Sequence, residues 1–185
     1  MTKKFLEKLS SMAPQMGTGL GLTETAGFCT YTNPDATIDD IVKGVGWDQP
    51  LCPLSIREPM KKDGTAGDEK PKGESGEICF TGKQIFLGYL NDPENTAKTI
   101  SKDGWLYTGD LGFYDEEGLH FSGRSKFVIK PKGYQVFPTD VEDALESALK
   151  DKVESVAIAG AKHEVFSEGI MAFIVKKEGA DLTVE

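Results

Sequence analysis

The chain has 185 residues, with 30 acidic against 21 basic side chains and a formal net charge of −9. With 38% hydrophobic and 28% charged residues, it reads as a folded, soluble chain and not a disordered one. The acidic balance argues against nonspecific binding to nucleic acid or anionic lipid, and no apolar run approaches the roughly 20 residues that span a bilayer.

No cationic leader with an apolar core precedes Phe5, so no secretory signal is expected. Cys29, Cys52 and Cys79 are odd in number and form no C-x-x-C pair. They read as three structural thiols in a reducing, cytoplasmic setting.

In chain order, the first element expected is a short helix with Phe5, Leu9 and Met12 on one face. A glycine- and threonine-rich turn follows from Gly17 to Thr25. Residues 33–54 read as irregular, because Pro34, Pro50 and Pro53 interrupt any long element. Lys61–Gly73 is charged and glycine-rich, which predicts a solvated loop. Strands are expected at Glu77–Thr81 and Ile85–Leu90, then a short helix near Pro93–Ile100. The Tyr114–Leu119 segment predicts a hairpin turn between Leu111–Phe113 and Leu119–Phe121. After Gly123-Arg124, strands are expected at Phe127–Lys130 and Tyr134–Phe137. A helix follows, opened by a Thr139/Glu142 capping box, with Val141, Leu145, Ala148 and Leu149 as its apolar stripe. Val156–Ile158 and Ile170–Val175 complete this α+β piece. Thr183 and Glu185 suit the start of a further helix, which predicts a chain cut short.

Three segments carry candidate chemistry. In Gly17-Thr18-Gly19-Leu20-Gly21-Leu22-Thr23-Glu24-Thr25, glycines allow close backbone approach to a nucleotide, hydroxyls suit phosphate oxygens and a carboxylate suits Mg²⁺. The spacing misses G-x-G-x-x-G, and a plain glycine-rich turn is the competing reading. In Gly104–Gly112, Asp110 stands between glycines where a strand end can present its carboxylate to a ribose; a turn aspartate is the alternative. Gly123–Pro138 places Arg124, Lys126, Lys130 and Lys132 within nine residues of an acidic chain, either for phosphate chemistry or as a solvated basic face. The Asp63–Gly73 stretch lacks phosphate-loop spacing, and His120 and His163 lack metal-ligand spacing.

Taken together and in order, Leu20–Glu24, Gly73–Ile78, Gly104–Leu111 and Arg124–Pro138 resemble the adenylate-forming (AMP-binding) superfamily of acyl-CoA synthetases, peptide-synthetase adenylation domains and luciferases. The likeness runs over residues 14–178. It implies an α/β and α+β fold class: residues 1–123 as the end of the large ATP-binding domain with a β-barrel-like subdomain, and residues 124–185 as a small α+β lid lacking its last part.

Carried over position by position, the resemblance implies cofactor binding by Gly21, Thr23, Glu24, Asp110, Arg124, Lys132 and Gly133, with Glu24 also the metal ligand. Lys126 falls at the hinge. Lys130 and Gln135 match lid residues that approach the adenylate. Gly133–Pro138 looks like the acyl-CoA ligase and luciferase branch. Leu20 replaces the family's adenine-stacking aromatic residue, while the upstream phosphate loop and the late lid lysine lie outside these residues. The implied cofactors are ATP, Mg²⁺ and coenzyme A, and the implied partner a carboxylic acid, expected to be a fatty acid. An aryl-CoA ligase, a luciferase-like enzyme, a peptide-synthetase domain and a non-catalytic binding fragment are the alternatives. Residues 1–185 alone are expected to be inactive and to self-associate through exposed surfaces.

Overall fold

Thr37 and Asp40 satisfy each other's backbone: the Asp40 N–H donates to the Thr37 hydroxyl oxygen and the Thr37 N–H to the Asp40 carboxylate at 2.9 Å. This capping box nucleates a helix in a stretch where the prolines predict none. The finding comes from a computed structural model, which describes residues 3–13 and 15–182. The chain divides into two compact units, Met1–Phe121 and Ser122–Glu185.

In the first unit, α1 (Lys3–Ser10) packs against α2 (Ile38–Lys43). It buries Leu6, while Phe5 and Met12 are exposed, so the expected stripe of Phe5, Leu9 and Met12 is rotated. Leu6 and Leu9 are neighbours at i and i+3, and the helix ends before Met12 can join them.

Four short strands follow: β1 (Gly21–Leu22) pairs with β2 (Gly27–Phe28), and β3 (Thr30–Tyr31) with β4 (Trp47–Asp48), both antiparallel. A four-stranded sheet then runs in chain order through β5 (Leu54–Arg57), β6 (Gly76–Phe80), β7 (Leu106–Asp115) and β8 (Gly118–Arg124). The β7–β8 hairpin lies at the expected turn. The core gathers Cys29, Cys52, Ile56, Ile78, Phe80 and Leu119, with Leu20 and Leu22 packed against it. Burying such side chains contributes about 1.5–3 kcal/mol each. All three cysteines are free and buried; the Cys52 and Cys29 sulfurs lie 2.7 Å apart, and burial holds the Cys52 thiol far above its ordinary range.

Two loop expectations are corrected. The 61–73 segment is not fully solvated: Ala66 packs with Cys79 and Tyr107, and the Gly67 N–H donates to the buried Tyr107 hydroxyl. Residues 85–90 are irregular instead of a strand, with Gly82 (φ +107°) just before them and Gly88 (φ +142°) among them redirecting the backbone. The loop leads into α3 (Pro93–Thr99), where Asp92 accepts the Asn95 N–H at 3.0 Å and Pro93 opens the first turn.

In the second unit, α4 (Pro138–Ala148) packs on the antiparallel hairpin of β9 (Val153–His163) and β10 (Ser167–Lys176). Val141, Leu145 and Leu149 cover Ile129, Val153, Val156 and Ile158, whereas Ala148, expected in the same stripe, is exposed. The Thr139/Glu142 box does not form. The helix begins two residues earlier, at Pro138 with Phe137 before it, the Thr139 hydroxyl donates to the Ser122 carbonyl, and the Glu142 carboxylate accepts the Ile158 N–H at 2.8 Å. The two strands expected at 127–137 are also absent. Short 3₁₀ turns stand at Ser125–Phe127 and Pro131–Gly133, and a single bridge joins Ile129 to Val136. The helix expected from Thr183 onward lies outside the described residues.

Candidate active site

The β1–β2 hairpin is built to present two side chains. Its turn is a 3₁₀ segment, Thr23–Thr25, closed by the Ala26 N–H donating to the Thr23 carbonyl. Thr25 is fully buried: its hydroxyl oxygen accepts the Leu22 N–H and lies 2.7 Å from the Gly27 carbonyl. Gly21 is required for space, since a Cβ there would stand 2.4 Å from the Gly27 carbonyl oxygen. Thr23 is left exposed and Glu24 half-buried at the tip. Leu20 packs into the core behind the hairpin, and its carbonyl accepts the Cys29 N–H at 2.7 Å.

Two contacts from the 82–90 loop reach Glu24, which sequence reasoning did not foresee. The Phe86 N–H donates to the Glu24 carbonyl at 2.8 Å, and the Tyr89 hydroxyl donates to its carboxylate at 2.7 Å. The bond to Glu24, followed by burial, holds the Tyr89 phenol above its ordinary range, so it stays a proton donor. The expected strand at 85–90 concealed this contact.

Asp110 is buried on β7. Its N–H donates to the Thr108 hydroxyl oxygen, and that hydroxyl donates to the Ile78 carbonyl at 2.7 Å. Gly109, at φ +74°, donates its N–H to Glu77 at 3.0 Å. Burial raises the Glu77 pKa, the Gly109 bond opposes this, and the Asp110 charge adds to the rise. Glu77 therefore belongs to the surroundings of Asp110, although only its place in Gly73–Ile78 hinted at that.

The remaining candidates lie in the second unit. Arg124 and Lys126 line a cleft of about 600 Å³ with Ile129, Thr139, Glu142 and Glu168. The Lys126 ammonium also sits 5.0 Å from the Phe127 ring. The chain then doubles back between Ile129 and Val136, which exchange N–H···O bonds of 3.0 and 2.9 Å. Within this loop the Lys130 N–H donates to the Glu168 carboxylate and the Lys132 N–H to the Phe166 carbonyl at 3.1 Å. Lys132, at φ +50°, lays its ammonium 4.4 Å from the Phe166 ring centre. Gly133 takes φ +85°, and the Lys130 and Gln135 side chains are exposed.

His120 and His163 have structural partners. His120 bridges the Lys43 carbonyl and Asp115, and His163 Nδ1 accepts the Val165 and Phe166 N–H groups. Among the described residues no three His, Cys, Asp or Glu side chains form a metal cluster. Glu24 nevertheless fits Mg²⁺, which takes one or two protein carboxylates alongside substrate phosphates.

The first unit thus carries a glycine-built hairpin with Thr-Glu and a glycine-flanked aspartate, and the second a basic loop on a small α+β unit. The AMP-binding enzyme family matches residues 1–90. The chain is 44% identical over 135 residues to 4-coumarate–CoA ligase 4 of Arabidopsis thaliana, covering 71% of this chain and 23% of that protein. It is 37% identical over 173 residues to 4-coumarate–CoA ligase of Vanilla planifolia, covering 91% and 30%. Among solved structures, ATP-bound MatB from Rhodopseudomonas palustris superposes with a TM-score of 0.84 at 29% identity, over 98% of this chain and 34% of that one. The chain belongs to the adenylate-forming, AMP-binding family of enzymes. It spans between 23% and 30% of the length of these two curated relatives.

Proposed function

We propose that the full-length protein is an ATP-dependent acid–thiol ligase, which joins a carboxylate to ATP, releasing pyrophosphate, and then passes the acyl group from acyl-AMP to coenzyme A. The observation that carries this reading is the hairpin that presents Thr23 and Glu24 with Glu24 fixed on both sides by the 82–90 loop, in a chain whose relatives are named CoA ligases.

In this reading Thr23 donates its hydroxyl to a phosphate oxygen, and Glu24 holds Mg²⁺, which supplies charge neutralisation at the departing pyrophosphate. Asp110 accepts the ribose hydroxyls, with Arg124 near the same sugar. Gly21 allows the backbone to approach the nucleotide. Attack on the α-phosphorus is in line, so these groups act mainly by positioning and charge stabilisation. Lys130 and Gln135 approach the adenylate, Lys132 and Gly133 border the pantetheine path, and residues 124–185 move as a lid about Lys126 between the half-reactions.

The names of the relatives favour the aryl-CoA alternative over the fatty-acid one, so a hydroxycinnamic acid such as 4-coumarate is the first substrate to try. A reducing, cytoplasmic setting is part of the reading and agrees with three free, buried cysteines; no helix among the described residues is long and apolar enough to cross a membrane. Residues 1–185 alone are inactive in this reading and self-associate through exposed apolar side chains such as Met171, Phe173 and Val175 on β10.

The test is mass-spectrometric detection of acyl-CoA with ATP, Mg²⁺, coenzyme A and a panel of aromatic and fatty acids, for the full-length protein beside residues 1–185. A thioester from the full-length protein alone supports the reading, and the panel names the acid. Nucleotide binding without a thioester from either protein overturns it in favour of a binding scaffold.

A further inference from the structure

The 82–90 loop grips the hairpin at three points. Gln84 donates from Nε2 to the Phe28 carbonyl at 3.0 Å, the Phe86 N–H to the Glu24 carbonyl at 2.8 Å, and the Tyr89 hydroxyl to Glu24 Oε1 at 2.7 Å. Only the last of these acts on the carboxylate itself. Tyr89 is in turn held from behind. Its N–H donates to the Thr96 hydroxyl oxygen at 2.9 Å, the Thr96 hydroxyl donates to the Asp92 carbonyl, and its ring meets the Phe86 ring edge-on at 4.9 Å. Gly88 makes this approach possible: a Cβ there would stand 2.7 Å from Thr96 Cγ2, at φ +142°.

We infer that Tyr89 is a positioning residue for Glu24, whose carboxylate it fixes in advance for a cation bound with a nucleotide. A half-buried glutamate at a hairpin tip otherwise has several rotamers open to it, and binding must then select one. A phenol O–H donating to an ionised carboxylate at 2.7 Å is a charge-assisted bond. It uses one carboxylate oxygen and leaves the second with its full acceptor capacity. Tyr89 lies 65 residues from Glu24 in sequence and acts only through it, as outer-shell partners of metal ligands do. The inference rests on the reading of Glu24 as the cation-holding carboxylate.

The test is binding of Mn²⁺ with ATP to the full-length protein, followed by calorimetry, for Tyr89→Phe, Glu24→Gln and the double variant. Mg²⁺ dependence of pyrophosphate exchange provides a kinetic split. Phenylalanine keeps the ring against Phe86 and removes only the hydroxyl, so thermal melting should be nearly unchanged. The expected result is cation–nucleotide binding about 10-fold weaker in Tyr89→Phe, in line with loss of an outer-shell partner. The apparent KM for coenzyme A stays unaltered, and the double variant is no worse than Glu24→Gln. Weaker binding in Glu24→Gln with none in Tyr89→Phe overturns the role of Tyr89 and leaves Glu24 in place. Losses that add in the double variant also overturn it, because independent effects add and a shared pathway does not. If neither single variant weakens binding, the reading of Glu24 fails and takes the inference with it.

Discussion

The hydroxyl of Tyr107 joins the two ends of the 58–67 segment: it accepts the Gly67 N–H at 2.7 Å and lies 3.2 Å from the Glu58 carbonyl, to which it donates. Gly67 is buried, so its N–H depends on that hydroxyl for an acceptor. Tyr107→Phe should therefore destabilise the full-length protein by about 1–3 kcal/mol, the cost of leaving a buried donor unsatisfied. Urea denaturation would show it, and hydrogen exchange at Gly67 should accelerate.

Thr30 stands behind the candidate site in the same manner. It is fully buried, accepts the Leu20 N–H at 2.8 Å and donates to the Val45 carbonyl at 2.6 Å. Thr30→Val keeps the shape but orphans both groups, so a loss of about 2 kcal/mol or more is expected. The Leu20–Gly21 backbone should loosen with it, and a weaker affinity for ATP in the full-length protein would register that change.

Tyr114 gives a pH prediction. Burial and its hydrogen bond to Asp48 (2.8 Å) raise its phenol to about 12. The folded pKa lies above the unfolded value of about 10, so the folded state holds the proton more tightly. The resulting stability is complete below pH 10 and is lost as pH rises toward 12. Tyr114→Phe should flatten this alkaline fall, and a 295-nm titration of the folded protein should lose one late-ionising phenol.

Lys126 is proposed as the pivot of the lid. Lys126→Pro fixes φ near −65° and removes the N–H. Thioester formation in the full-length protein should fall at least 10-fold more than pyrophosphate exchange. Equal loss of the two half-reactions, measured separately, would move the pivot elsewhere.

Thr23-Glu24, the glycine-flanked Asp110 and the Arg124–Lys132 cluster were readable in the sequence because each is a short pattern of residue types whose chemistry does not depend on the path of the chain. The helix at Pro93, the β7–β8 turn and the apolar stripe of α4 were readable for the same reason, since caps, turns and periodicity act over a few residues. The tertiary structure alone brought Tyr89 to Glu24, Thr30 between Leu20 and Val45, Gly67 to Tyr107, and Glu168 and Phe166 to the lysine loop. These are single hydrogen bonds between residues far apart in sequence. They leave no periodic trace, and glycines at positive φ set the turns that make several of them possible. The sequence determined which groups are the candidates for the proposed chemistry; the folded path decided which neighbours hold them still, because a hydrogen bond forms only where the backbone delivers both partners within about 3 Å.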